Sequence, residues 1–273
     1  MIKALFFDLD GTLLTTGKTL HPTTPAALRR CREKGIRVFL ATARSPRLDK
    51  MLHWTEAEFS LFDGGLYCNG ACVLMGEERR YAYIDPRAAR EVYRQVESFP
   101  EIHMSLHMEG DLHAFNHRLP DDMLGPWGVQ RTDILPMDDH AFRHAVKILI
   151  YRRHLVDAPA DPLPSGLYEA LTQRCGDLAN IYLTDGDSTI QVAGKDSGKH
   201  TAITRTCREL GLAPHEIAVF GDDLNDTEML AACPNSVAMG NGHPQAKQAA
   251  ACLTLSNDEG GIAHALEHIL CLI

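Results

Sequence analysis

Two stretches of this chain alternate strand and helix in regular order, and about a hundred residues between them do not. That interruption limits the fold more than any other feature. The first stretch runs "IKALFFD" (strand), "HPTTPAALRRCREKG" (helix), "IRVFLAT" (strand) and "SPRLDKMLHW" (helix). Thr24 is the expected N-cap of the first helix, with Pro25 in its first turn and Gly35 as its stop. Ser45 is the expected cap of the second, which carries Leu48, Met51 and Leu52 on one face. "GGLYCNGACVL" then reads as two short strands about an Asn69-Gly70 hairpin turn. Alternation returns near residue 190 with "KHTAITRTCRELG", "EIAVFGD", "DTEMLAAC", "SVAMG" and "GGIAHALEHIL". Strands joined by helices make a parallel sheet covered on both faces. The chain is therefore expected to be α/β, a doubly wound, parallel, Rossmann-like core sheet. The core is assigned to residues 1–83 and 190–273, with an inserted α+β domain at 84–189.

The inserted segment has its own texture. "DPRAAREVYRQVESF" is a capped helix with Val92, Val96 and Phe99 at helical spacing. The strands "AVKILIY", "LANIYLT" and "STIQVA" and a helix in "SGLYEALTQRC" follow. His103, His107, His113 and His117 alternate along two strands around "EGD" at 109–111. With a three-residue loop there, His107 faces His113 and His103 faces His117 on one sheet surface. Ordinary half-exposed strand histidines are the preferred reading, ahead of a polar wall over a substrate or a second metal site.

The core strands end in polar groups that suit one another. The first ends at Asp8, with Asp10 two residues on; the second reaches Thr42; "AVFGDDLND" places Asp222, Asp223 and Asp226 together. Lys199 opens the helix that feeds this last strand. Open α/β sheets bind ligands at the carboxyl ends of their strands, so these groups converge. Two unit charges about 4 Å apart interact by about 4 kcal/mol at an effective dielectric near 20. Several carboxylates at one edge therefore call for a cation, and Mg2+ suits oxygen ligands and phosphate chemistry. Asp223 is expected to face solvent or to cap the following helix.

"DLDGTLL", "ATARS", a lone lysine before a helix and "GDDLND", in that order, resemble the haloacid dehalogenase (HAD) superfamily. The closing "SVAMGNG" and "SNDEGGI" resemble its Cof-type phosphatases, whose inserted domain is a cap of the IIB kind. The resemblance spans the chain and is weakest in the insertion. It implies that Asp8 is the nucleophile, forming an aspartyl-phosphate, and that Asp10 is general acid and then base. It also implies Mg2+ on Asp8, the backbone carbonyl of Asp10 and Asp222, with Asp226 in support. Thr42 and Lys199 match its phosphate-binding positions, with Asn225, Ala43 and Arg44 beside them. Many relatives have glycine where this chain has Ala43. Alanine still offers its N–H to phosphate unless the position needs a positive φ.

Composition narrows the partners. The 273 residues carry 27 Lys and Arg against 36 Asp and Glu, a net charge of −9 with no basic run, which argues against nucleic acid. No apolar run approaches the roughly 20 residues of a membrane span, and the N-terminus does not read as a signal peptide. The eight cysteines form no CxxC pair and read as reduced, which fits a cytoplasmic protein. The expected function is a phosphomonoester hydrolase acting on a small phosphorylated metabolite, with a sugar phosphate or related compound as the expected substrate. A phosphomutase is the alternative, and a phospho-accepting signalling module a more distant one.

Overall fold

The structure, a computed structural model, describes residues 1–152, 162–184 and 188–273. Its strands are β1 (Ala4–Phe7), β2 (Arg37–Ala41), β3 (Gly64–Tyr67), β4 (Cys72–Met75), β5 (Glu78–Tyr81), β6 (Ile102–Met108) and β7 (His113–Phe115). They continue as β8 (Ile134–Leu135), β9 (Ala145–Arg152), β10 (Ala179–Thr184), β11 (Thr189–Gly194), β12 (Ile217–Gly221), β13 (Ser236–Ala238) and β14 (Cys252–Leu253). The chain divides into two compact units, residues 1–80 with 198–273, and residues 81–197. The sequence reading divided it inside β11, at 189/190. That strand pairs along its whole length with β9 and β10, so it lies wholly in the inserted unit.

The first unit holds an eight-stranded sheet in the order β14-β13-β12-β1-β2-β3-β4-β5. From β14 to β3 every pairing is parallel, and β4 returns antiparallel to β3. β1 is buried at all four residues, as a central strand covered on both faces must be. Phe6 stacks on Phe39 and Phe7 on Phe220, with ring centroids 5.1 and 4.5 Å apart. Phe7 pairs with Leu40 on one side and Phe220 on the other. The residues that follow these three therefore emerge together, at the carboxyl edge.

Local details differ from the sequence reading in three places. The first helix, Thr24–Glu33, has Thr23 rather than Thr24 at its N-cap, and no side chain caps it, though Pro25 and a left-handed Gly35 stand where expected. The second is a single turn, Leu48–Met51, with Arg47 at its N-cap, so Ser45 lies two residues too far upstream to cap it. Between β3 and β4 the last pair is Tyr67 with Cys72, so four residues form the turn, not two.

The inserted unit is a six-stranded sheet, β10-β11-β9-β6-β7-β8, antiparallel except where β7 meets β8. Strand periodicity sorts its faces. Ile102, Met104, Leu106 and Met108 of β6 pack into a core with the helices Pro86–Glu97 and Leu167–Cys175. Asp85 caps the first of these, accepting from Arg87 N at 2.8 Å. The histidines take the other face of the sheet. His107 pairs with His113 in register, and the rings of His103 and His117 stack 3.6 Å apart. His107 and His113 are buried rather than half-exposed. Trp127 lies against His113, Phe115 and Tyr151 and closes over that end of the face.

All eight cysteines are free thiols, and six are buried. No helix among the described residues is long and apolar enough to cross a membrane.

Candidate active site

The site is built at the carboxyl edge of β12, β1 and β2. Asp8 extends β1 by one residue, its N–H donating to Phe220 O at 2.9 Å, and is 5% exposed. The chain then turns at Gly11, whose φ is +78°. A Cβ at Gly11 would stand 2.1 Å from Asp222 Oδ2, so only glycine lets the two loops approach. Thr12 Oγ1 donates to Asp222 Oδ1 at 2.7 Å, and Asn241 Nδ2 to Gly11 O at 2.8 Å. The first bond joins the loop after β1 to the loop after β12, and the second joins it to the loop after β13.

Asp226 is fully buried, and its work is structural as well as electrostatic. Its Oδ2 accepts from the N–H groups of Asp222 and Asp223 at 3.0 and 3.1 Å, which fixes the turn that carries Asp222. Its Oδ1 accepts from Lys199 Nζ at 2.7 Å, and the same ammonium donates to Asp8 Oδ1. Lys199 is the first residue of the helix Lys199–Glu209 and is 3% exposed. Asp223 is exposed.

Asp8, Asp222 and Asp226 each offer a carboxylate oxygen, all within 4.8 Å of one another. Three carboxylates face one ammonium, and the imbalance shows in the titration of Asp8 and Asp222. Burial, with repulsion from Asp226 and Asp222, pushes Asp8 well above the usual carboxylate range despite Lys199. Burial pushes Asp222 up to about 6, against the bond from Thr12 and with repulsion from Asp226 adding to the rise. Burial alone would lower Lys199, but Asp226 and Asp8 hold it above its ordinary value and protonated. A hard divalent cation is the group that this donor set fits: oxygen ligands only, converging, with surplus negative charge.

Asp10 points elsewhere. Arg44 grips it with Nε on Oδ2 at 2.6 Å and a terminal nitrogen on Oδ1 at 2.8 Å, and Lys18 Nζ adds a bond to Oδ1 at 2.9 Å. Burial would raise Asp10, but the bonds from Arg44 and Lys18 outweigh it and hold the carboxyl below its usual value. Arg44 therefore sits on Asp10 in this state. Thr42 is buried, and its Oγ1 accepts from Arg44 N at 3.1 Å. Ala43 is not among the residues with positive φ, so alanine in place of glycine adds no backbone strain. Asn225, exposed, donates from Nδ2 to Asn69 Oδ1 at 3.3 Å.

The sequence-derived residues thus meet in one unit. Thr12, Lys18, Asn69 and Asn241 were not foreseen as parts of it. For Lys18 no local signal exists, because its partner is reached by a loop.

The model of a family described as haloacid dehalogenase-like hydrolase matches residues 5–266. The chain belongs to that family. It is therefore an enzyme, a hydrolase, and relatives that match it from end to end are phosphatases by name. A putative phosphatase of Haemophilus influenzae is 29% identical over 98% of each chain. An HMP-PP phosphatase of Klebsiella pneumoniae is 29% identical over 99% of this chain and 96% of its own. The fold is shared with a solved subclass IIB sugar phosphatase of the same superfamily, at a TM-score of 0.79 and 23% identity over 99% of this chain and all of the other.

Proposed function

We propose that this HAD hydrolase is a Mg2+-dependent phosphatase that releases phosphate from a small phosphorylated metabolite, a sugar phosphate or a close relative, through an aspartyl-phosphate. The observation that carries the reading is the buried trio Asp8, Asp222 and Asp226 with Lys199 between them, at a sheet edge that also presents Thr42. The phosphatase names of relatives that match end to end support it.

In this reading Asp8, Asp222 and Asp226, with the carbonyl of Asp10, hold Mg2+, whose charge offsets the repulsion between the carboxylates and an incoming phosphate. Asp8 attacks phosphorus with a carboxylate oxygen; the new O–P bond forms as the bond to the leaving oxygen breaks. Asp10 gives that oxygen its proton. It later takes a proton from the water that attacks the aspartyl-phosphate, so phosphate departs and Asp8 is regenerated. Lys199, Thr42 and Asn225 hold the non-bridging oxygens, with the Ala43 N–H beside them. Arg44 aims Asp10, and exchange of Arg44 from Asp10 to the substrate frees the carboxyl to take from solvent the proton that it donates; the hydrolytic water restores that proton in each turnover. The inserted unit, residues 81–197, serves as the cap that selects the substrate.

The test is phosphate release from a panel of phosphorylated sugars, nucleotides and cofactors. Release should stop on chelation, return with Mg2+ and return poorly with Ca2+, whose looser, higher coordination suits this compact donor set badly. Full activity after exhaustive chelation would refute the metal assignment.

A further inference from the structure

The four-residue turn after β3 carries an unusual backbone. Cys68, Asn69 and Gly70 are all left-handed in succession, with φ of +53°, +55° and +85°. Glycine adopts this region freely and asparagine tolerates it, but cysteine does so rarely. Such a run persists only where its surroundings hold it, and here those surroundings are the site. Cys68 N donates to Arg44 O at 2.8 Å and Asn69 N to Thr42 O at 2.9 Å, which pins the tail of β2. A Cβ on Gly70 would lie 2.6 Å from Gly198 O, at the cap of the helix that begins with Lys199. The Asn69 side chain spans to the far side, accepting from Asn225 Nδ2 in the turn after β12.

β3 and β12 are separated in the sheet by β1 and β2. The Asn69–Asn225 bond therefore bridges the sheet edge over the strand that ends in Asp8. We propose that Asn69 is a positioning residue: it ties Asn225 to the Thr42 tail, so that both sides of the phosphate cradle are set at one spacing before a phosphoryl group arrives. The inference rests on the phosphatase reading for the cradle's ligand. It takes nothing from that reading for the bridge itself.

A preset cradle binds the ground state and the transition state alike, so its loss raises KM and spares kcat. Asn69→Gly keeps the left-handed turn and removes only the carboxamide. It should raise KM for an aryl phosphate about fivefold, the scale of one hydrogen bond, leave kcat within about twofold and leave the melting temperature unchanged. The affinity for inorganic phosphate in Mg2+, measured by calorimetry without turnover, should weaken by the same factor. Asn225→Ala and the double variant complete a cycle. If Asn69 acts through Asn225, the double variant is no weaker than the worse single one. Should Asn69→Gly fail to fold, Asn69→Ser, too short to reach Asn225, takes its place.

Phosphate affinity and KM within twofold of wild type for Asn69→Gly overturn the proposal. So do losses that simply multiply in the double variant, or a fall in kcat and melting temperature at constant KM. A wild-type protein that binds phosphate but releases none from any substrate defeats the phosphatase reading and leaves the bridge to be judged on affinity alone. One that binds no phosphate defeats both.

Discussion

Burying a carboxylate beside two others is unfavourable, a cost that a fold retains where the group has work to do, and Asp8 sits in that position. A single ammonium, Lys199, answers three carboxylates, and burial raises Asp8 well above its ordinary value. Asparagine has the same shape without the charge to desolvate. Asp8→Asn should therefore lower turnover by at least about a thousandfold, the scale of losing an essential nucleophile. It should not lower the melting temperature, because the neutral amide removes a desolvation cost. Residual activity above about a tenth of wild type would remove Asp8 from the nucleophile's role. A large drop in melting temperature would show instead that its pair with Lys199 holds the fold together. At this scale the sequence was informative where residues lie one or two apart along a strand end, as Asp8 and Asp10 do. It was silent on pairings made by loop approach: Thr12 with Asp222 and Lys18 with Asp10 have no spacing that announces them.

Elements were legible where their pattern is long. β1, β12 and the helices Pro86–Glu97 and Lys199–Glu209 follow from apolar runs or helical spacing closed by turn residues. Short pieces were less so: the Leu48–Met51 turn and the left-handed Cys68–Gly70 run depend on tertiary contacts that no local propensity encodes. The turn Pro214–Glu216 ahead of β12 is another such piece. Glu216 accepts from Ala213 N at 3.0 Å and pairs with Lys3 at 2.6 Å, and these bonds, the backbone one foremost, draw it down to about 2. A glutamate in the unfolded chain titrates near about 4.3. Because the folded value is the lower one, the stabilisation from Glu216 is complete above that pH and fades as pH falls toward 2. In denaturant unfolding, wild type should exceed Glu216→Gln by a constant margin from pH 7 to about 5, and the margin should close by about pH 2. A margin independent of pH would mean that the turn needs the side chain's shape and not its charge.

At the scale of the whole molecule, the interrupted alternation gave the architecture, since strand–helix repeats can make only a parallel sheet and the segment between them must then fold by itself. The exact seam escaped, because β11 has the same apolar texture as a core strand and only its pairing with β9 and β10 assigns it. Every group assigned to the chemistry lies in residues 1–80 and 198–273, and none in 81–197. If the inserted unit chooses the substrate and the other unit performs the reaction, changes in the insertion should reorder substrates without touching the reaction itself. His103 and His117 are suited to the test. They lie on the sheet face opposite the helix-covered core, stacked on each other and only partly buried, whereas His107 and His113 are buried and their loss would disturb packing. His103→Ala and His117→Ala should each shift the ratio of kcat/KM between the best and second-best metabolites by about tenfold, as expected when a polar contact to one substrate is removed. Hydrolysis of a small aryl phosphate, which offers little for an insertion to recognise, should stay within about twofold. Both reactions are measured for each variant. If the aryl phosphate reaction falls as far as the preferred one, the insertion supplies a group to the chemistry, and the division of labour between the units is not the one proposed.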